Sequence, residues 1–447
     1  MNYESAVRYL LSLGRELAAP TQAAAAKFNL ENITILLERL GRPDRAFPCV
    51  HIAGTNGKGS TAAFLEKILR DAGFRTGLNT SPHLERINER IRISGKEISD
   101  ERFAEIFTRI HALIEELLAE GKLRAHPTYF ECVTTLAFEA FARGRVDFAV
   151  IEVGLGGRLD ATNVVTPLVS IITRIDFDHE NYLGHSLREI AGEKAGILKP
   201  RVPAVFAAQS PEAHEVLVAR AAELRCPFVE TGELFRVEKE TLEDGCVRAM
   251  AVETSGGKSF SLEPKLAGRF QLQNALNAVA AARILQNRSY RITDENIVTG
   301  IATTEWPGRL ERLQTRPDVY LDGAHNPGAA RELAQFLEEN CSGRKVYLIF
   351  GAMRDKAVDE VTGMLFPLAH EVIFTQPGTP RAVSARQLAE MAGDHAAKFT
   401  VIEDAERALE SALSKASPED AVFITGSLYL VGELRRVWSS RGKVASR

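Results

Sequence analysis

The chain has 447 residues, a formal net charge of −4 and five cysteines. That length is long for a single core and predicts two or three domains, while the near balance of charge argues against nucleic acid or an anionic membrane as partner. The cysteines (Cys49, Cys132, Cys226, Cys246, Cys341) are scattered, odd in number and without a C-x-x-C pair, which speaks against a disulfide framework or a zinc site.

The chain opens on an amphipathic helix rather than a signal peptide, with Ala6, Tyr9, Leu10 and Leu13 on one side and Glu4, Arg8 and Arg15 on the other. No apolar run approaches the ~20 residues needed to span a bilayer. A soluble, cytoplasmic protein is expected, acting as a monomer. A second helical pattern, KFNLENITILLERLGRP, closes on Gly41 and Pro43.

Next comes FPCVHIAGTNGKGS, Phe47 to Ser60. A β-prone apolar run ends in Gly54, Gly57 and Gly59, with Lys58 between the last two. TAAFLEKILRDAG follows with helical spacing, Phe64, Leu65, Ile68 and Leu69 sharing a face and Gly73 as the stop. Strand, glycine loop and helix together make a phosphate cradle: backbone N–H groups, the helix N-terminus and a lysine all face an anion. The standard pattern G-x-x-x-x-G-K-[ST] is broken twice, by Ile52 at its first glycine and by Gly59 between Lys58 and Ser60. A structural turn is the plain alternative.

Phe74 to Asn79 reads as a strand running into TSPHLERINERIRISG, where Pro82 marks a loop. Glu101 to Glu120 and Tyr129 to Ala142 read as helices. VDFAVIEV (Val146 to Val153) runs into GLGGRLDATN, and LVSIITRI (Leu168 to Ile175) into DFDHENYLG. Such continuous apolar runs, alternating with helices, predict a doubly wound, mostly parallel α/β sheet. Glu233 to Leu262 alternates and predicts a small antiparallel insert. Phe270 to Leu285 is an alanine-rich helix. A break near Thr303 divides the chain into expected domains 1–303 and 304–447. The second is a smaller α/β unit with strands at Val319–Leu321, Val346–Phe350, Val372–Phe374, Phe399–Ile402 and Ala421–Ile424.

Several strand ends carry chemistry. Glu152, beside Gly154, Gly156 and Gly157, suits a Mg²⁺ ligand near nucleotide phosphates, or else a cap or a partner for Arg158. Asp176, Asp178 and His179 crowd the next strand end, as ligands or as caps. Lys194 in LREIAGEKAGILKP reads, by itself, as a solvated surface lysine. Asp322, His325 and Asn326 share a loop, where Asp322 could hold a ribose hydroxyl or form an Asx-turn. Arg309, in WPGRLE, could reach phosphates across a cleft or pair with a nearby carboxylate.

Taken together and in this order, HIAGTNGKGS, TSPHLERINERIRISG, EVGLGGRLDATN, DHENYLG, EKAGILKP, FQLQNALNA, WPGRLE and LDGAHNP resemble folylpolyglutamate synthase and dihydrofolate synthase of the Mur ligase superfamily. The family's own phosphate loop has the spacing seen here. The resemblance implies an N-terminal ATP-binding α/β domain of P-loop type and a C-terminal Rossmann-like domain closing over a cleft. It implies Asn56, Gly57, Lys58, Gly59 and Ser60 as the phosphate loop, and Ser81, Glu152 and His179 as Mg²⁺ ligands. Lys194 matches a lysine carbamylated by CO2. Asn274, Arg309 and Asp322 match ATP contacts, and Thr128, Phe130 and Asp160 the pterin or folate pocket. The reaction implied is ATP-dependent addition of L-glutamate to a folate or dihydropteroate carboxylate through an acyl phosphate, with Lys58, His179 and Lys194 catalytic. The alternatives are a cell-wall precursor ligase, against which Gly59 argues, and a P-loop switch, which needs no glutamate pocket.

Overall fold

Val50 and Ile52 of strand β1 (Cys49–Ala53) pack into one core, and Cys49 packs into another on the opposite face. Both faces of the strand are covered, which is why it reads as an unbroken apolar run. The structure is a computed structural model and describes residues 1–14, 29–354 and 357–444. Arg15, Lys27 and Phe28, read with the first two helical patterns, lie outside these. Within them the two patterns form the helices Tyr3–Ser12 and Glu31–Arg39.

β1 lies between β5 (Phe148–Glu152) and β6 (Val169–Ile172), parallel to both. The same sheet contains β2 (Thr76–Asn79), β3 (Ile91–Ile93), β4 (Lys96–Glu97), β7 (Ala204–Phe206) and β8 (Phe228–Glu230). Among the described residues its order is β4-β3-β2-β5-β1-β6-β7-β8, parallel except for β3, which pairs antiparallel with β2 and β4. The predicted strand from Phe74 begins only at Thr76. β3, β4, β7 and β8 carried no clear signal, because two or three residues are too few to show a period.

The helices Lys58–Asp71, Phe270–Asn287 and Asp294–Thr303 pack together on the face of Val50 and Ile52. The expected antiparallel insert forms from β9 (Phe235–Glu243), β10 (Cys246–Glu253) and β11 (Ser259–Leu262). Its alternate residues Val247, Ala249, Ala251, Phe260 and Leu262 join the same core. On the other face, Asp100–Ala119 and Tyr129–Gly144 cover Ala149 and Ile151.

A second sheet contains β12 (Glu311–Gln314), β13 (Asp318–Leu321), β14 (Val346–Phe350), β15 (Glu371–Phe374), β16 (Phe399–Val401) and β17 (Ala421–Thr425). Its order is β12-β13-β17-β14-β15-β16, parallel apart from the antiparallel pair β12–β13. The five predicted strands are present with ends shifted by a residue or so. β12 was not foreseen, since its residues are half-buried and polar.

Candidate active site

Because β5, β1 and β6 are parallel neighbours, the loops leaving their C-terminal ends meet at one edge of the sheet. That is where open α/β sheets place ligands. The loop after β1 turns through Gly57, whose φ of +86° caps the helix Lys58–Asp71. A side chain there would also collide with Asn274. Gly59 is a glycine for a different reason: a Cβ would stand 3.0 Å from Nε1 of Trp306. The second departure from the standard pattern thus lies tight against an indole nearly 250 positions away in sequence.

Two lysines share one carbonyl in this loop. Lys58 Nζ donates to Gly54 O and Thr55 O, both at 3.0 Å, and Lys194 Nζ donates to Gly54 O at 2.9 Å. Lys194 is 3% exposed on the helix Leu187–Ala195, so its reading as a solvated lysine is corrected. Burial, then the charge of Lys58, pushes its amine down to about 7. Lys58 is lowered too, chiefly by burial, with Glu152 and Asp178 pulling the other way.

Glu152 ends β5 and is buried. One oxygen accepts from the Ser81 N–H at 3.0 Å. Burial raises its carboxyl, opposed by Lys58 and by the Ser81 N–H. Arg158 pairs instead with Glu193 at 2.8 Å, which removes the Arg158 pairing as an alternative for Glu152. Ser81 Oγ is buried with no hydrogen-bond partner. His179 sits in the left-handed region (φ +52°), its N–H donating to Asp178 Oδ1 at 2.9 Å. No three His, Cys, Asp or Glu among the described residues form a metal-sized cluster. The expected trio contains only two such residues, and its third member is the unsatisfied Ser81 hydroxyl. An acidic oxygen, a bare hydroxyl and an imidazole fit a divalent cation carried in with nucleotide phosphates.

The opposite wall comes from the second sheet. Asp322, at the end of β13, accepts from Leu310 N and Ala324 N, both at 2.9 Å; the second bond is the Asx-turn. Burial raises its carboxyl, with Arg309 opposing. Arg309 and Asn274 line the same cleft as Lys58, Glu152 and His179, and Arg309 Nη1 donates to Gly308 O at 3.3 Å. Asn56 and Asn326 exchange amide hydrogen bonds of 3.2 and 3.0 Å across the gap. Arg331 pairs with Asp176 at 2.9 Å and Arg174 with Glu332 at 3.2 Å beside them. The phosphate loop is thereby tied to the N-terminus of the helix Pro327–Asn340.

Residues 52–282 match the Mur ligase middle domain, and residues 308–428 the glutamate ligase domain of Mur ligases. The dihydrofolate synthase/folylpolyglutamate synthase of Bacillus subtilis is 37% identical over 413 residues, covering 90% of this chain and 93% of that protein. The chain belongs to the folylpolyglutamate synthase/dihydrofolate synthase family of Mur ligases. Members of this family are ATP-dependent ligases. The folylpolyglutamate synthase of Mycobacterium tuberculosis complexed with ADP superposes with a TM-score of 0.89 at 32% identity, covering 97% of this chain and 98% of that one. A bifunctional folylpolyglutamate synthase/dihydrofolate synthase from Yersinia pestis, complexed with AMPPNP and a Mn ion, gives 0.83 at 31%, covering 98% of each.

Of the expected site residues, Asn56, Gly57, Lys58, Gly59, Ser60, Ser81, Glu152, His179, Lys194, Asn274, Arg309 and Asp322 all line one cleft. The three pocket residues lie apart from that lining. Thr128 caps the helix Tyr129–Gly144 in a reciprocal box with Glu131. Phe130 packs against Gly154, where a Cβ would collide with its ring. Asp160 accepts from Gly154 N at 3.1 Å, Leu155 N at 2.9 Å, Thr162 N at 2.9 Å and the Thr162 hydroxyl. Sequence reasoning gave no role to Trp306 or to the Arg174 and Arg331 pairs. Trp306 stood in the WPGRLE motif, but the two pairs join positions over 150 residues apart and carry no local signal.

Among the described residues, no helix is long and apolar enough to cross a membrane.

Proposed function

We propose that the chain joins L-glutamate to the free carboxylate of a folate, and also to dihydropteroate. The observation that carries this is the single cleft, where a phosphate loop faces Glu152 and Ser81 on one side and Arg309 and Asp322 on the other. The acceptor carboxylate attacks the γ-phosphorus of ATP, releasing ADP and forming an acyl phosphate. The glutamate amine then attacks the acyl carbon, loses a proton, and phosphate departs. A carboxylate alone is a poor electrophile because oxide must leave; phosphorylation supplies the leaving group. The protein's part is positioning and neutralising charge, from Lys58 and the helix N-terminus on one side and Arg309 on the other. Mg²⁺ held by Ser81, Glu152 and His179 would supply further charge neutralisation at the phosphates. Asn274 and Asp322 hold the nucleotide, Asp322 near the ribose. The tie between Asn56 and Asn326 closes the two walls, which keeps water from the acyl phosphate. Thr128, Phe130 and Asp160 belong to the wall that receives the pterin.

Lys194 is the carbamylation site in this reading. Its neutral amine would attack CO2 and lose a proton, and the resulting carbamate would supply an anionic oxygen donor for the metal site. Support comes from its burial and from an amine that titrates near 7. The chain divides near Thr303 into the two units that form the walls, so one chain suffices for the site and a cytoplasmic monomer is the working form.

Purified enzyme given ATP, Mg²⁺ and L-glutamate should release ADP with dihydropteroate and with tetrahydrofolate. Each product should be heavier than its acceptor by one glutamyl group. Extension of tetrahydrofolate alone would restrict the enzyme to polyglutamylation; turnover of a cell-wall precursor alone would replace the proposal.

A further inference from the structure

Directly beneath the phosphate loop, in the centre of β1, stands a histidine that the mechanism does not use. His51 is fully buried between Ile151 of β5 and Ser170 of β6. Its Nε2 lies 2.8 Å from Thr162 Oγ1, and its Nδ1 is buried with no hydrogen-bond partner. The Thr162 hydroxyl proton is already committed, because that hydroxyl donates to Asp160 Oδ1. The hydroxyl can then only accept from the ring, so Nε2 must carry the proton and Nδ1 must be the bare lone pair. The unsatisfied atom is thus an acceptor without a donor, the less costly kind of orphan.

The chain of bonds continues past Asp160. Its other oxygen accepts from Gly154 N and Leu155 N, the first residues of the loop that leaves β5. Gly154 in turn lies against the ring of Phe130. Four protein donors hold the Asp160 carboxylate in one orientation. It works as a clasp that holds a loop.

We infer that His51, as its Nε2–H tautomer, is a positioning residue: acting through Thr162 and Asp160, it fixes the Gly154–Leu155 wall against Phe130 where the acceptor binds. The acceptor's place rests on the function proposed above; the relay itself does not. Burial also holds the imidazole down to about 3, so the ring stays neutral and the tautomer persists across the working range. A neutral N–H donor is what a carboxylate relay needs, and networks of this kind stiffen when every link is made.

Nitrogen-15 NMR of histidine-labelled enzyme reads the relay without turnover. His51 should show a protonated Nε2 and a bare Nδ1, with no titration between about pH 5 and 8. An Nδ1–H ring, or a titration in that range, overturns the relay. Kinetics then test its consequence. His51→Leu keeps the bulk but removes the donor, and should raise the acceptor KM by about fivefold or more while kcat and the ATP KM stay within about twofold. His51→Gln keeps an N–H at a similar reach and should restore the acceptor KM to within about twofold. Thr162→Val, which breaks the middle link, should copy His51→Leu and stands in for it if that variant does not fold. Equal acceptor KM values for Leu, Val and wild type contradict the inference, as does equal impairment of Gln and Leu. A wild type that ligates no folate acceptor would sink the proposed substrate while leaving the NMR result to decide the relay.

Discussion

Two buried glutamates, one in each sheet, show how differently the two halves use a carboxylate. Glu371 starts β15, away from the cleft, and is met by Lys415 at 2.5 Å, Lys398 at 2.7 Å and Thr400 at 2.7 Å. Burial pushes its carboxyl up, but those three donors win and hold it at about 2. Glu152 ends β5 and accepts from one N–H, so burial prevails and its carboxyl is raised. The first is a carboxylate held between two ammonium groups at the N-terminal end of its strand. The second, at the C-terminal end, has one N–H donor and faces the cleft, where a cation can complete it. Strand polarity decides which of the two faces the ligand edge.

The largest effect should come from the ligand edge. Lys58→Ala removes the charge proposed to meet the transferring phosphate and should cost roughly 3 kcal/mol or more in transition-state stabilisation, about two decades in kcat. Wild-type turnover by the folded variant at saturating ATP would falsify that role. Glu152→Gln should lose about two decades of activity yet keep or gain stability, because it removes a buried charge that the native state holds poorly. The sign follows from linkage: a raised carboxyl makes the native state bind more protons, so its stability cost grows as pH rises above the unfolded value of ~4.3. A denaturant midpoint that falls sharply in this variant breaks the comparison.

Lys194 tests the same edge through pH. Its amine titrates near 7, against ~10.4 in an unfolded chain. The native state therefore binds fewer protons across that window, and stability gains as pH rises through it. Under the proposed carbamylation, the neutral amine needed to take CO2 appears as pH rises through about 7, so activation by added bicarbonate should grow between about pH 6 and 8. Lys194→Ala should abolish that activation; an active, CO2-exposed enzyme whose Lys194 is unmodified by mass contradicts the carbamate.

Glu371→Gln should behave in reverse, keeping kcat and losing about 1–2 kcal/mol, a figure reduced because Lys398 and Lys415 stay partly exposed. With its pKa held near 2, Glu371 contributes stability above ~4.3 that is lost as pH falls toward about 2. Comparing wild type and Glu371→Gln in acid shows it: the gap in midpoints should close as pH drops. The smallest effect belongs to Arg331→Ala, which opens the pair between a half-exposed arginine and the buried Asp176, whose other oxygen keeps the Phe177 N–H. It should change stability by less than ~1 kcal/mol and be masked by salt.

The phosphate loop was legible because its signal is local: an apolar run, glycines, a lysine and a helix within two dozen residues. The parallel strands were legible for the same reason, being buried on both faces. Lys194 was not, since nothing in its own helix reports the carbonyl of Gly54 that it meets 140 positions away. Gly59 could be read as a departure but not explained until Trp306 was seen against it. Asp160 was assigned to the acceptor pocket by resemblance alone; three of its four donors are backbone N–H groups that side-chain spacing does not encode, and the fourth is the Thr162 hydroxyl. β12 was missed because an edge strand, half-buried and polar, has neither an apolar run nor strict alternation.

The central claim is that this cleft activates a carboxylate by phosphorylation before glutamate arrives. An acceptor labelled with oxygen-18 in its reacting carboxylate tests it directly, with the released inorganic phosphate analysed by mass. The account predicts that label passes from the carboxylate into the phosphate in step with ADP formation and with the new amide. Phosphate that stays unlabelled while the amide forms would contradict it.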